Sequence, residues 1–127
     1  MRKVPILLTL LSAAIALNAV CAEPEMGMDL MQNIEDANKS LSSNIALANK
    51  QAAGDDAKEL ARMFQEVETF FVHKGDAANA VDLARQSREL SAEIVALVAT
   101  GKFEVATDKA TTLSRTCRTC HTFYKKE

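Results

Sequence analysis

Two cysteines and a histidine near the carboxyl end of the 127-residue chain form the pattern Cys117-Arg-Thr-Cys120-His121. On a helix, residues i and i+3 share one face, so both thiols would project together, with the imidazole of His121 beside them. Two such thiols can add to the two vinyl groups of haem while the imidazole ligates the iron. This pattern is the attachment signature of c-type haem. The sequence therefore predicts covalently attached haem c, held by Cys117, Cys120 and His121.

Three other functions of the same cysteines fit this sequence less well than haem attachment does. A thioredoxin-like redox pair shares the C-x-x-C spacing, but that pair starts a helix after a strand, and this motif ends an all-helical pattern. A disulfide between Cys117 and Cys120 would close too short a loop to stabilise the fold much. Zinc bound by both cysteines, His121 and the distant His73 would need two adjacent residues as joint ligands. The spacing favours haem over all three.

The composition predicts that helices position this motif. The chain has no Trp, one Tyr, four Gly and two Pro, so it is poor in residues that favour strands and tight turns. With 48% hydrophobic and 25% charged residues, it is expected to form one small globular domain. A formal net charge of −2 excludes general nucleic-acid binding, which needs a strongly basic face.

The first 22 residues have the pattern of a cleaved secretory signal peptide. Arg2 and Lys3 form a basic start, a short apolar run follows at residues 5–17, and Ala22 ends a cleavage segment. We predict cleavage after Ala22, a mature domain at residues 23–127, and export to a bacterial periplasm. Cleavage would remove two of the 15 basic residues and none of the 17 acidic ones, leaving a net charge of about −4.

Two other fates of this segment are disfavoured. A membrane anchor needs about 20 apolar residues, whereas this run is shorter and is followed by Glu23 and Glu25. A lipoprotein cut before Cys21 normally requires a very small preceding residue, and Val20 is not one. The predicted mature protein therefore has no stable membrane anchor.

Apolar residues recur at helical spacing in four segments that short breaks separate. Aspartates that cap helix starts and glycines that end helices mark the breaks. Helix A is predicted at residues 24–50, and a break at residues 53–56 supplies the cap, Asp55 or Asp56, of helix B, which runs to residue 74. Helix C is predicted from a cap at Asp76 to residue 100, and helix D from residue 102 onward. Because the loops are short, neighbouring helices are expected to run antiparallel, as an all-α, up-down-up-down four-helix bundle. The alanines and serines facing inward from helix C are small for a bundle core, which indicates that something else fills it.

Over the whole predicted mature chain, these features resemble the class II cytochromes c, in which haem is attached near the carboxyl end of an antiparallel four-helix bundle. The run Cys117-Arg-Thr-Cys-His-Thr-Phe-Tyr-Lys125 is similar to the family motif, C-x-x-C-H followed by an aromatic and a basic residue. Leu30-Met-Gln-Asn-Ile-Glu35 is similar to the first helix of the low-spin branch, where a methionine approaches the iron opposite the histidine. The resemblance implies that Met31 is the sixth iron ligand. It also implies a one-electron carrier that works with redox partner proteins and is not an enzyme.

The family divides at the sixth ligand. Cytochromes c prime leave a five-coordinate iron that binds small gases such as NO and CO, but Gly27 stands here where that branch usually has an arginine. From the residues alone, a methionine in an apolar face is more often core than ligand. A gas-binding haem protein and a metal-free structural bundle stay open as alternative functions. Met28 stays open as the ligand, and a monomer or homodimer as the assembly.

Basic residues surround the motif, whereas acidic residues are spread through helices A to C. This basic collar would suit haem propionates or an acidic redox partner, but cations near a helix end are favourable without any partner. His73, two residues before Gly75, is interpreted as a side chain that complements the negative end of helix B and not as an iron ligand. Phe70 and Phe71 either line a haem or belong to the ordinary core. The basic residues are Arg115, Arg118, Lys125 and Lys126.

Overall fold

The computed structural model describes residues 26–124, so the predicted signal peptide and the terminal Lys125 and Lys126 lie outside the described residues. Within this range the chain forms four helices and no strand: α1 Met28–Ala46, α2 Lys50–Lys74, α3 Ala78–Ala99 and α4 Phe103–Tyr124. They pack around one core as a four-helix bundle, which confirms the predicted all-α fold. None of these four helices is long and apolar enough to cross a membrane.

The break between α1 and α2 lies at residues 47–49, so the break predicted at residues 53–56 is wrong. The amides of Ala48 and Asn49 donate to the carbonyl oxygens of Ile45 and Asn44, each at 2.9 Å. This pair of bonds usually ends a helix at a glycine in the left-handed conformation. Here the left-handed residue is Ala48, with a φ of 51°. The sequence pattern missed the turn because no glycine marks it.

Asn49 caps the start of α2, since its side chain accepts a hydrogen bond from the amide of Ala52 at 3.2 Å. Gly54 therefore lies inside a helix rather than in a loop. A Cβ at this position would meet a methyl group of Val98 on α3 at 3.8 Å, which is an ordinary van der Waals distance. Close packing therefore does not require a glycine here.

Asp56, one of the two residues predicted to cap helix B, instead joins α2 to α1. Its carboxylate accepts hydrogen bonds from Ser40 Oγ at 2.8 Å and from Asn44 Nδ2 at 2.7 Å. The other candidate, Asp55, is exposed and accepts a hydrogen bond from Gln51 on its own helix at 2.9 Å. Neither aspartate caps a helix, because α2 has already begun.

The two predicted glycine stops are confirmed. Gly75 ends α2 with a φ of 77°, and Gly101 follows α3 with a φ of 75°. The cap predicted at Asp76 is wrong, because the N-cap of α3 is Ala77, which makes no side-chain capping bond. The loop after Gly75 takes one residue more than predicted, so Asp76 falls outside the cap position and pairs with Lys74 at 3.0 Å.

The core is sealed in one region and open in another, along the same helices. On α1, Leu41 is completely buried, whereas Met31 is only half-buried. On α4, Leu113 is completely buried, whereas Cys117 and Cys120 are half-buried. The sealed region is defined as Leu41, Leu60, Ile94 and Leu113, and the open region as Met31, Cys117, Cys120 and Tyr124.

Small side chains form the buried stripe in the first half of α3. The buried residues from the start of this helix to its middle are Ala77, Ala80, Ala84 and Ser87, and the first larger one is Leu90. The loop at Gly75 places these residues directly after the end of α2. The light inward face predicted for helix C therefore lies mainly in the first half of α3, and Ser91 is the small buried residue of the second half.

Candidate functional site

The attachment motif lies in the last two turns of α4, which is helical as far as Tyr124. Leu113 is the last buried apolar residue of this helix, and the half-buried Cys117 follows one turn later on the same side. Cys120 follows at a spacing of three, so both thiols lie on the inward side and are half-buried. His121 is exposed.

The two thiols are free and uncharged at neutral pH. Burial raises the pKa of Cys117 to about 11, and the nearby Cys120 adds to that rise. Burial also raises the pKa of Cys120. Catalytic and redox-active cysteines have lowered pKa values in electropositive surroundings, so this environment does not favour thiolate chemistry.

The imidazole of His121 makes no hydrogen bond or ion pair with any residue in the described range 26–124. A structural histidine is normally fixed by such a partner, whereas the nitrogens of this ring are free to ligate a metal. His73, the other histidine, is exposed in the last turn of α2, in agreement with its predicted position at a helix end.

Met31 and Met28 have different surroundings, although both lie in the first turns of α1. Met31 is half-buried and packs against the core cluster, as do Leu30 and Cys117. Met28 is 90% exposed. The structure therefore brings Met31 and Cys117 onto one core and leaves Met28 at the surface.

A hydrogen bond between α1 and α4 fixes how these two helices align. Asn38 Nδ2 donates to Ser114 Oγ at 3.0 Å. Met31 precedes Asn38 by seven residues, and His121 follows Ser114 by seven residues. Seven residues are almost two full helical turns, so each potential ligand lies on the same face of its helix as the bonded residue. Asn38 Oδ1 is buried and accepts no hydrogen bond from the described part of the chain.

Aromatic side chains from α2 border the end of the motif. The ring centroids of Phe71 and Tyr124 are 5.4 Å apart, and Phe70 contacts Phe71 edge-on at 5.1 Å. The last turns of α2 and α4 therefore lie side by side. Phe71 therefore places an apolar ring against the last residue of α4, three residues after His121.

A buried carboxylate on α2 was missing from the sequence prediction. Glu68 is 9% exposed and accepts hydrogen bonds from Arg85 Nε at 3.1 Å and Arg88 Nε at 2.8 Å, both on α3. Burial raises the pKa of Glu68, but the hydrogen bonds and charges of the two arginines outweigh it, so the net pKa is lowered. The sequence does contain a signal for this burial. Glu68 follows Phe64 by four residues and precedes Phe71 by three, which places it on the buried face of the helix.

A groove of about 280 Å³ separates α1 from α4 beside the motif. Its floor contains the buried, apolar Ile45 and Ala110. Ser114 and Arg118 line its wall one helical turn apart. Arg118 is exposed and stands between the two cysteines of the motif.

Comparison with known proteins identifies no relative. None of the protein-family models, curated proteins or solved structures compared with the chain matches it. The described residues also contain no group of three His, Cys, Asp or Glu side chains placed to share one metal ion. The interpretation of the site therefore depends on the residues and contacts given above.

Proposed function

We propose that this chain is a class II cytochrome c, an exported periplasmic one-electron carrier with covalently attached haem. Cys117 and Cys120 hold the haem through thioether bonds, and His121 and Met31 ligate its iron. The observation that carries the proposal is the complete C-x-x-C-H motif on one helix. Its two thiols are half-buried and uncharged, and its imidazole has no partner within residues 26–124.

We also propose that the bundle runs up-down-up-down, which brings the two iron ligands together. The three-residue loops and the contact between Phe71 and Tyr124 support this topology. In such an arrangement α1 and α4 are antiparallel, so the bond between Asn38 and Ser114 sets their register. Met31, seven residues before Asn38 on α1, and His121, seven residues after Ser114 on α4, are then level with each other.

When bound, haem supplies an iron that changes its charge by one electron. His121 would bind that iron through its imidazole and Met31 through its thioether. The thioether of Met31 is a soft ligand and favours the reduced state, which raises the reduction potential. Apolar Phe71 and the alanines of α3 exclude water and disfavour the extra charge of the oxidised state, which acts in the same direction.

Denaturing electrophoresis with detection of haem tests the covalent attachment. Protein matured in a cell with c-type assembly should keep its haem under denaturing conditions. The Cys117→Ala and Cys120→Ala variants should each weaken that attachment. Thr119→Ala is the matched control, because Thr119 lies between the cysteines, is exposed and donates only to the Arg115 carbonyl oxygen. Loss of haem from the wild type on denaturation would show that the covalent assignment is wrong.

The absorption spectrum with and without carbon monoxide tests the axial ligands. A six-coordinate iron held by His121 and Met31 should be low-spin and should take up little carbon monoxide when reduced. A high-spin spectrum that shifts with carbon monoxide would instead favour the gas-binding function and make Met31 a packing residue.

A further inference from the structure

Arg115 and Arg118 differ in their charge environment from most cations of the described chain. Six of the seven lysines and arginines on α1, α2 and α3 form an ion pair with an acidic residue: Lys39, Lys58, Arg62, Lys74, Arg85 and Arg88. Lys109 on α4 also has an acidic partner, Glu93. Arg115 and Arg118 have none within residues 26–124. No acidic residue occurs from position 109 to position 124. The second half of α4 is therefore positive, on a chain whose net charge is negative.

The groove between α1 and α4 offers two donors to a carboxylate. Ser114 Oγ accepts a hydrogen bond from Asn38 and donates to no described residue, so its own hydroxyl hydrogen is available. Arg118 lines the same wall one turn later. A carboxylate accepts from both a hydroxyl and a guanidinium group. The apolar floor of Ile45 and Ala110 suits the methylene groups that carry such a carboxylate on an acidic side chain.

We infer that this groove is the docking site of an acidic electron-transfer partner, which inserts a carboxylate side chain against Ser114 and Arg118. The inference rests on the proposed function, because Arg118 stands between the two haem-attaching cysteines and a partner bound there approaches the haem. Charge complementarity selects the partner. Charges are felt over about 8 Å at physiological ionic strength, so Arg115 and Arg118 attract an acidic surface that the rest of the chain repels. The two arginines thereby orient the encounter.

The oxidation rate of the reduced protein by inorganic complexes tests the local charge. With anionic hexacyanoferrate(III), the rate should fall severalfold as salt is raised from about 10 to 200 mM, since salt screens the local attraction. With a cationic cobalt(III) complex it should not fall. Arg118→Gln should flatten the salt dependence, whereas Lys102→Gln, at the other end of α4, should not. A hexacyanoferrate(III) rate that rises with salt, as the net charge predicts, would overturn the inference.

Retention on immobilised poly-L-glutamate tests the acidic polypeptide itself and needs no haem. Wild-type protein should be retained at low salt, and Arg118→Gln and Ser114→Ala should elute earlier than Lys102→Gln. Elution of wild type by glutarate at an equal carboxylate concentration would show a small-anion site and overturn docking. If Arg118→Gln matures poorly, Arg115→Gln provides the second comparison. If the protein stays free of haem even after maturation in a cell with c-type assembly, yet is retained normally, the proposed function is refuted and the acidic docking site stands.

Discussion

The sealed and open regions differ although they lie along the same helices. In the sealed region every side chain is completely buried and aliphatic, so none of these side chains needs a polar partner. In the open region each side chain is only partly buried, and each carries a sulfur atom or a phenol. Apolar residues at helical spacing are enough to build the first region. The second leaves apolar surface exposed, which attached haem would cover.

This difference divides the consequences of substitution. Truncation in the sealed region leaves a cavity and lowers stability. Truncation in the open region is expected to act mainly on the bound cofactor. A substitution in the sealed region that changes the haem spectrum would contradict this division. So would a substitution in the open region that changes stability and leaves the spectrum unaltered.

The largest expected effect is that of haem on stability. A ligand that binds only the folded state stabilises it by about 4 kcal/mol at a thousandfold excess over Kd, and a covalent cofactor acts at least as strongly. Apoprotein made without c-type assembly should therefore unfold roughly 15 °C or more below holoprotein, as measured by calorimetry. Equal midpoints would show that the open region is already complete without haem.

The second effect concerns Met31. Met31→Ala should convert a low-spin spectrum to a high-spin or water-ligated one, allow carbon monoxide to bind, and lower the reduction potential. Stability should fall by about 1–2 kcal/mol, because the side chain is only half-buried. Leu30→Ala is the matched control, since Leu30 is adjacent and also half-buried against the core. Equal spectra for the two variants would make Met31 an ordinary packing residue.

The third effect concerns the buried carboxylate. Glu68→Gln should destabilise the protein by about 1–3 kcal/mol at pH 7, because hydrogen bonds to charged groups are among the stronger ones. The folded-state pKa of Glu68 is lowered, so its contribution is present above its ordinary pKa of 4.5 and is lost as pH falls through the folded value. Urea unfolding of wild type and variant should therefore converge at acid pH.

Glu66→Gln provides the control for this comparison. Glu66 is exposed on the same helix and pairs with Arg62 at the surface. An exposed pair contributes about 0–1 kcal/mol, so this variant should change stability little at either pH. An effect as large as that of Glu68→Gln would show that the burial of Glu68 is unimportant.

The smallest effects come from exchanging a glycine and an alanine in the α1–α2 hairpin. Ala48→Gly should stabilise the protein by about 1 kcal/mol, because the left-handed backbone at Ala48 strains an L side chain. Gly54→Ala should also stabilise it by about 0.5–1 kcal/mol, because alanine is the better helix former and its Cβ fits against Val98. Thermal unfolding measures both, and a loss of stability in either would contradict the observed break at residues 47–49.

Local signals in the sequence predicted the ends of α2 and α3 but not the break between α1 and α2. Gly75 and Gly101 were found because a left-handed residue is usually a glycine. The turn at Ala48 was missed because an alanine takes that conformation, and Asp56 was misassigned because its carboxylate bonds to α1 instead of capping α2. The pairing of Glu68 with two arginines depends on how α2 meets α3, which no local pattern contains.

The attachment motif could be predicted from the sequence because its chemistry depends on spacing within one helix. Cys117, Cys120 and His121 need only helical geometry to share a side. The proposed pairing of Met31 with His121 instead depends on the alignment of α1 with α4, where Asn38 bonds to Ser114. The sequence alone could identify Met31 as a candidate iron ligand through a family resemblance. It could not give the position of Met31 relative to α4.

The buried amide of Asn38 has a consequence for the specificity of folding. Its unpaired oxygen costs about 1–3 kcal/mol relative to a bonded one, so an aliphatic residue would make a more stable bundle. Any shift of α1 along α4 would also leave Asn38 Nδ2 and Ser114 Oγ without each other as partners. Every alignment except the observed one is therefore less stable, and a single buried asparagine fixes the alignment of coiled coils in the same way. Aliphatic replacement of both residues should therefore give a more stable chain that samples several helix alignments.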